Sequence, residues 1–122
     1  PDGSTDKIEM RGSVTLKSDQ FNIRGDELIY DPSNQIFQAI GNVQVKQEKM
    51  TADCGMMVYD LGKKTVRFSD KPWVKVVEKD ETIAFQDFEA IDIDLSGPEP
   101  RPVPDGIGRL IMEPVDSSQQ GN

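Results

Sequence analysis

Phe37-Gln38-Ala39-Ile40-Gly41-Asn42-Val43-Gln44-Val45 has the pattern of one long β-strand. Apolar and polar residues alternate along it, the period of two that sends successive side chains to opposite faces of a strand. The stretch has a partner earlier in the chain. Gly12-Ser13-Val14-Thr15-Leu16 recurs as Gly41-Asn42-Val43-Gln44-Val45, and Leu28-Ile29-Tyr30-Asp31 recurs as Met57-Val58-Tyr59-Asp60, each 29 residues on. A fixed period of this size marks stacked units whose apolar face is covered only by the next unit. The pattern predicts extended β-structure with a continuous interior, not a catalytic pocket.

The same texture continues on both sides. Val14 and Leu16 alternate with Thr15 and Lys17, and Phe21 and Ile23 with Asn22 and Arg24. Turn formers punctuate the runs at Lys17-Ser18-Asp19-Gln20, Asp31-Pro32-Ser33-Asn34 and Leu61-Gly62-Lys63-Lys64. Asp and Asn cap turns with their side chains, Pro fixes φ and Gly tolerates positive φ, so each cluster has a physical reason to reverse the chain. Advancing one period carries Phe37 and Ala39 to Val66 and Phe68 and starts a third unit near Asp70. That unit is degenerate: Pro72 takes the place of Val43, Trp73 adds bulk, and the closing run Phe88–Leu95 lacks a Tyr-Asp. Terminal repeats are often atypical because one side meets no neighbour. No window carries a helical apolar stripe with a cap. A two-residue difference in spacing before Tyr30 and Tyr59 keeps strand parity, or is absorbed by a bulge near Gly55.

These signals divide the chain into a flexible N-terminus over 1–7, a β-groove domain over 8–97 and a Pro-rich connector over 98–122. The connector begins Pro98-Glu99-Pro100-Arg101-Pro102-Val103-Pro104 and contains a last strand at 108–113 before a loose tail. The chain has 122 residues, 35% of them hydrophobic and 30% charged, which suits one thin all-β domain. A net charge of −8 lacks the cationic footprint that nucleic acid or an anionic membrane surface requires. Histidine is absent, which removes histidine-based nucleophilic triads and histidine metal sites. Cys54 is the single cysteine, so no intrachain disulfide can form, and it reads as a small strand residue. Asp31 and Asp60 open turns, while Asp92 and Asp94 share a strand face toward water; none of them forms the unequal carboxyl pair of a glycosidase. No enzyme activity, cofactor or metal site is expected.

The Gly-Asn-Val motif, Tyr30-Asp31-Pro32 and the pair Ala52-Asp53 ahead of Tyr59-Asp60 resemble the OstA/LptA family of lipopolysaccharide-transport bridge domains, over about residues 8–95. The resemblance implies a folded antiparallel β-jellyroll, a taco-like groove, that shields acyl chains of lipopolysaccharide or a similar glycolipid. It implies a periplasmic location, with or without an inner-membrane anchor on a segment absent from this chain. It also implies partners that are other OstA-like domains joined edge to edge through their strands, including a head-to-tail homo-oligomer, and no nucleic acid. The lipid-binding residues are then those of inner parity: Val14, Leu16, Ile23, Leu28, Tyr30, Phe37, Val43, Val45, Met57, Tyr59, Val66, Phe68, Ile91 and Ile93. Soluble bridge protein, anchored component and outer-membrane assembly domain all fit the motifs.

Burying each methylene yields about 0.8 kcal/mol, so an acyl chain of about a dozen carbons gains up to about 10 kcal/mol before ordering costs. Lys46, Lys49, Lys63, Lys64 and Arg67 form a candidate rim for lipid phosphates, although exposed strands carry lysine anyway to deter aggregation. Two other readings stand beside this one. An architectural β-module would have a filled core and bind protein alone. A carbohydrate-binding module would need aromatic platforms, for which Trp73 is the one good candidate.

Overall fold

The computed structural model describes residues 7–17 and 21–114. The expected loose segments at 1–6 and 115–122, and the turn at 18–20, lie outside the described residues. Ten strands run in chain order: β1 (Ile8–Lys17), β2 (Phe21–Asp31), β3 (Ile36–Gln47), β4 (Met50–Asp60), β5 (Thr65–Ser69), β6 (Trp73–Glu78), β7 (Glu81–Gln86), β8 (Ala90–Asp94), β9 (Arg101–Asp105) and β10 (Arg109–Pro114). Every pairing is antiparallel. The fold is all-β, one folded sheet that does not close into a barrel.

A single line of irregularity bends this sheet. β1 shifts register between Arg11 and Val14, β2 between Arg24 and Glu27, and β3 between Ile40 and Val43. The shifts are bulges, which bend a strand by opposing an extra residue to its partner. Gly12-Ser13, Gly41-Asn42 and Asp70-Lys71 all have positive φ, and each pair lies 29 residues from the next. Gln35 and Lys64, also 29 apart, share a φ of 56° at the ends of equivalent hairpin turns. The sequence repeat is therefore a repeat of backbone conformation. In the third unit the bend breaks the strand outright: β5 pairs one half of β4 and β6 the other, with buried Pro72 between them.

On either side of the bend lie two leaves that share β1 to β4. Leaf A is completed by β5, β8 and β9, and leaf B by β6, β7 and β10. Ile23, Val45 and Met50 of leaf B line one cavity together with Met57, Tyr59, Val66 and Phe68 of leaf A, so the leaves face each other. Between them lies a continuous apolar core with no buried polar or charged residue among those described.

The C-terminal boundary expected at residue 97 is wrong. Residues 98–104 are not a free connector, because Arg101–Asp105 pairs with β8 in register, Pro102 opposite Ile93 and Pro104 opposite Ile91. The last strand expected at 108–113 is present as β10, and it completes leaf B against β7. Prolines suggested a connector, but an edge strand needs donors on one side only and so accommodates them.

Candidate functional site: the interior and its open rims

The interior is laid out as transverse rows, one inward side chain from each strand. In leaf A one row runs Ile8, Tyr30, Phe37, Tyr59, Val66, Ile93, Pro102, and the next runs Met10, Leu28, Ala39, Met57, Phe68, Ile91, Pro104. In leaf B a row runs Leu16, Ile23, Val45, Ala52, Val74, Phe85, Leu110. Antiparallel pairing brings such neighbours to about 5 Å, so each row is a continuous apolar rib.

Every inner-parity residue named from the sequence faces this interior. Ile23, Leu28, Phe37, Val43, Val45, Met57, Val66, Phe68, Ile91 and Ile93 are buried core residues, and Val14, Leu16, Tyr30 and Tyr59 pack against them half-buried. The structure thus brings the whole set together, but it does not leave most of it accessible. The cavity between the leaves measures only about 20 Å³, room for about one water. Gln47 lies against it, and its Oε1 is a buried acceptor without a hydrogen-bond partner.

Sequence reasoning missed the residues that are exposed on the inner face. Ile8 and Met10 occupy it on β1, and Leu110 and Met112 on β10 beside Phe85 and Ile83. Leu110 and Met112 stay 54% and 57% exposed. Alternation in 108–113 marked a strand but not which face would end at an opening.

The bend is shaped by close backbone approach. A Cβ at Gly41, where φ is +81°, would meet the Asp26 carboxylate at 2.7 Å, and Asn42 Nδ2 donates to Asp26 Oδ2 at 2.9 Å. At Gly55 a Cβ would lie 2.0 Å from Asp70 Oδ2, while the Gly55 N–H donates to the Asp70 carbonyl at 2.8 Å. The residue suggested as a bulge site is thus the single residue opposed by Gly41-Asn42.

Charge is confined to the outside. Arg67 donates to Asp92 at 2.8 Å and to Asp105 at 3.3 Å, and both carboxylates raise its pKa, Asp105 most. Lys49 pairs with Glu99 at 3.1 Å, and Arg109 with Asp87 at 2.7 Å. The candidate phosphate rim is therefore not one cluster. Lys49 closes the β3–β4 hairpin, Lys63 and Lys64 sit in the β4–β5 turn at the opposite end, and Arg67 is committed to two carboxylates. The turn roles expected of the acids are as drawn: Asp31 accepts from the Ser33 N–H and from Asn34, and Asp60 accepts from the Lys63 N–H. The Asn34 hydrogen bond is the main cause of a lowered Asp31 pKa. Asp94 accepts from Ser96, which lowers its pKa likewise. Burial pushes the Cys54 thiol up to about 12 and raises the Tyr59 phenol.

No protein-family model matches this chain, and no curated protein matches it. The resemblance to the OstA/LptA family rests on the motifs themselves.

Proposed function

We propose that this domain is a non-catalytic carrier and bridge of the OstA/LptA type, sheltering glycolipid acyl chains between its leaves and joining like domains through its strand edges in the periplasm. The observation that supports it is the interior itself: ribs of apolar side chains cross both leaves without a buried charged residue and emerge exposed on the inner face at β1 and β10. A lipid tail entering at a rim continues those ribs and gains about 0.8 kcal/mol per buried methylene. Since the central cavity has room for about one water, deeper entry requires the leaves to part along the bend, where paired residues already give way to bulges. A charge at Val43 is unsuitable as a probe. That residue is 1% exposed, and an unpaired charge there would unfold the domain.

Photo-crosslinking tests the reading. A photoreactive side chain at Leu110 or Tyr59 is expected to capture lipopolysaccharide, and one at outward-facing Val103 is not. Equal capture at all three positions, or none at Leu110 and Tyr59, would refute the carrier role. The filled centre specifically favours one alternative, the architectural module that binds protein alone. Lipopolysaccharide would then leave the melting temperature unchanged, whereas the carrier gains stability through binding to the folded state.

A further inference from the structure

We infer that the outer face of leaf B is a docking track for a linear anionic polysaccharide, on which Lys17, Lys46 and Lys75 take the acidic groups and Trp73 takes a sugar ring. The track lies on the opposite side of the sheet from the apolar interior and stands independently of the carrier role.

Strand register draws it. Side chains that alternate with the inner ribs face outward, and one outer row of leaf B runs Lys17, Asn22, Lys46, Thr51, Lys75 across β1, β2, β3, β4 and β6. A lysine therefore stands on every second strand, about 10 Å from the next. The neighbouring row toward the bend runs Arg24, Gln44, Asp53, Trp73. Trp73 is half-buried in a cleft of about 510 Å³ that Gln86 and Phe88 also line.

The two leaves use their cations differently. On leaf A, Arg11 and Arg67 are each held by two carboxylates. Among the described residues Lys17, Arg24, Lys46 and Lys75 form no ion pair, and Asp53 is the one carboxylate in their two rows. Protection of sheet edges does not explain the lysines on β3 and β6, because both strands are paired on each side. The net charge of −8 does not cancel the patch, since charges more than about 10 Å away are largely screened at 0.1 M salt.

The chemistry of the face selects its occupant. From β1 to β4 every outward side chain of these rows is polar, so an acidic protein has no apolar centre to bury there and a bilayer has no anchor to insert. A glycan needs neither. Its ring offers C–H groups to the negative face of an indole, and its hydroxyls pair with groups such as Gln44, Gln86 and Asp53. An acid on every second sugar recurs at a spacing that suits lysines on every second strand. Lys75 follows Trp73 by two residues on the same face, so the stacked ring lies beside the acid that Lys75 holds.

Hyaluronate, which has one carboxylate for every two sugars, is the probe. Trp73 is the single tryptophan, so the fluorescence of the unaltered full chain reports that ring directly. Hyaluronate is expected to shift its emission saturably, salt to reverse the shift, and neutral dextran to leave it unchanged. Lys17→Gln, Lys46→Gln and Lys75→Gln combined weaken binding about tenfold. Lys63→Gln, Lys64→Gln and Lys79→Gln combined remove the same charge from exposed turns elsewhere and leave binding nearly unchanged. A wild-type chain that hyaluronate does not perturb, or an equal loss in both triple variants, overturns the track. Polyglutamate or phosphatidylglycerol vesicles binding at least as tightly as hyaluronate overturn the glycan in favour of an acidic protein or a membrane. Lipid capture at Leu110 or Tyr59 is read from the other side of the sheet and is unaffected by any of these results.

Discussion

The middle of the interior and its rims are made of the same alternating sequence, yet they end in opposite states. Leu28, Phe68, Ile91 and Ile93 are 0% exposed, whereas Ile8 and Leu110, in the same transverse ribs or their leaf B counterpart, are 53% and 54% exposed. Phe68 has strands on both sides, β4 and β8; among the described residues Leu110 has a strand, β7, on one side only. Parity decides which face a side chain takes, and the number of neighbouring strands decides how deeply it is buried. The two regions therefore differ in role: the middle holds the leaves together, and the rims remain available to whatever binds.

Truncating one side chain in each region separates them most sharply. Phe68→Ala should cost about 3–5 kcal/mol by leaving a cavity in a dry core, while Leu110→Ala should cost under about 1 kcal/mol. Urea unfolding measures both. Similar losses would mean that the rim is as much a part of the stabilising core as the middle.

A smaller effect, about 1–3 kcal/mol, is expected at the bend, where overpacking and backbone strain can be told apart. Gly55→Ala drives a methyl group to 2.0 Å from Asp70 Oδ2 and 2.8 Å from Asp70 Cβ, so Asp70→Gly, which removes both atoms and suits the φ of 62° there, should recover most of the loss. Gly41→Ala meets Asp26 and must also hold a φ of +81°, so Asp26→Ala should recover only part. Equal rescue at both sites would show that space alone, not backbone conformation, selects glycine along the bend.

Much of this was legible in the residues, for reasons that are local. Strand parity from Val14 to Ile93 followed from alternation, and the turns at Asp31 and Asp60 followed from side chains able to cap them. What stayed hidden depended on partners distant in sequence. Residues 98–104 looked like a connector because nothing local reveals that β8 has a free edge waiting for them. The third bend was marked at Asp70 by the period, yet Asp70-Lys71 adopts positive φ without a glycine to announce it. The lysine rim failed because closeness in sequence around a hairpin does not mean closeness in space; Lys49 and Lys63 lie at opposite ends of β4. Filling of the centre was invisible as well, since the same apolar ribs can line a groove or close it.

Alkaline pH offers a gentler probe of the middle. Cys54 is buried, and its pKa of about 12 stands above the ordinary 9.0 because the core disfavours thiolate. Below pH 9 both folded and unfolded chains keep the proton, and the contribution is fully present. Above it the unfolded chain loses the proton while the folded chain retains it, so stability should fall by about 1.4 kcal/mol per pH unit. Cys54→Ser should flatten that part of the curve between pH 9 and 10.5, and wild-type thiol labelling at pH 8 should be slow. A Cys54 that labels rapidly at pH 8 would place it at the surface with the rims.

The smallest effect concerns Gln47, which ends β3 between the two regimes. Its Oε1 is buried without a partner beside the 20 Å³ cavity, and its neighbours there are Ile23, Val45, Met50 and other apolar side chains. A buried acceptor left unpaired costs about 1–3 kcal/mol, part of which an isolated water recovers. Gln47→Leu removes the acceptor and keeps the volume, so it should raise stability by about 1 kcal/mol, read as a higher melting temperature. If it lowers stability instead, the amide is satisfied in solution and that end of the interior is wet, which would move the boundary between the dry middle and the open rims inward by one rib.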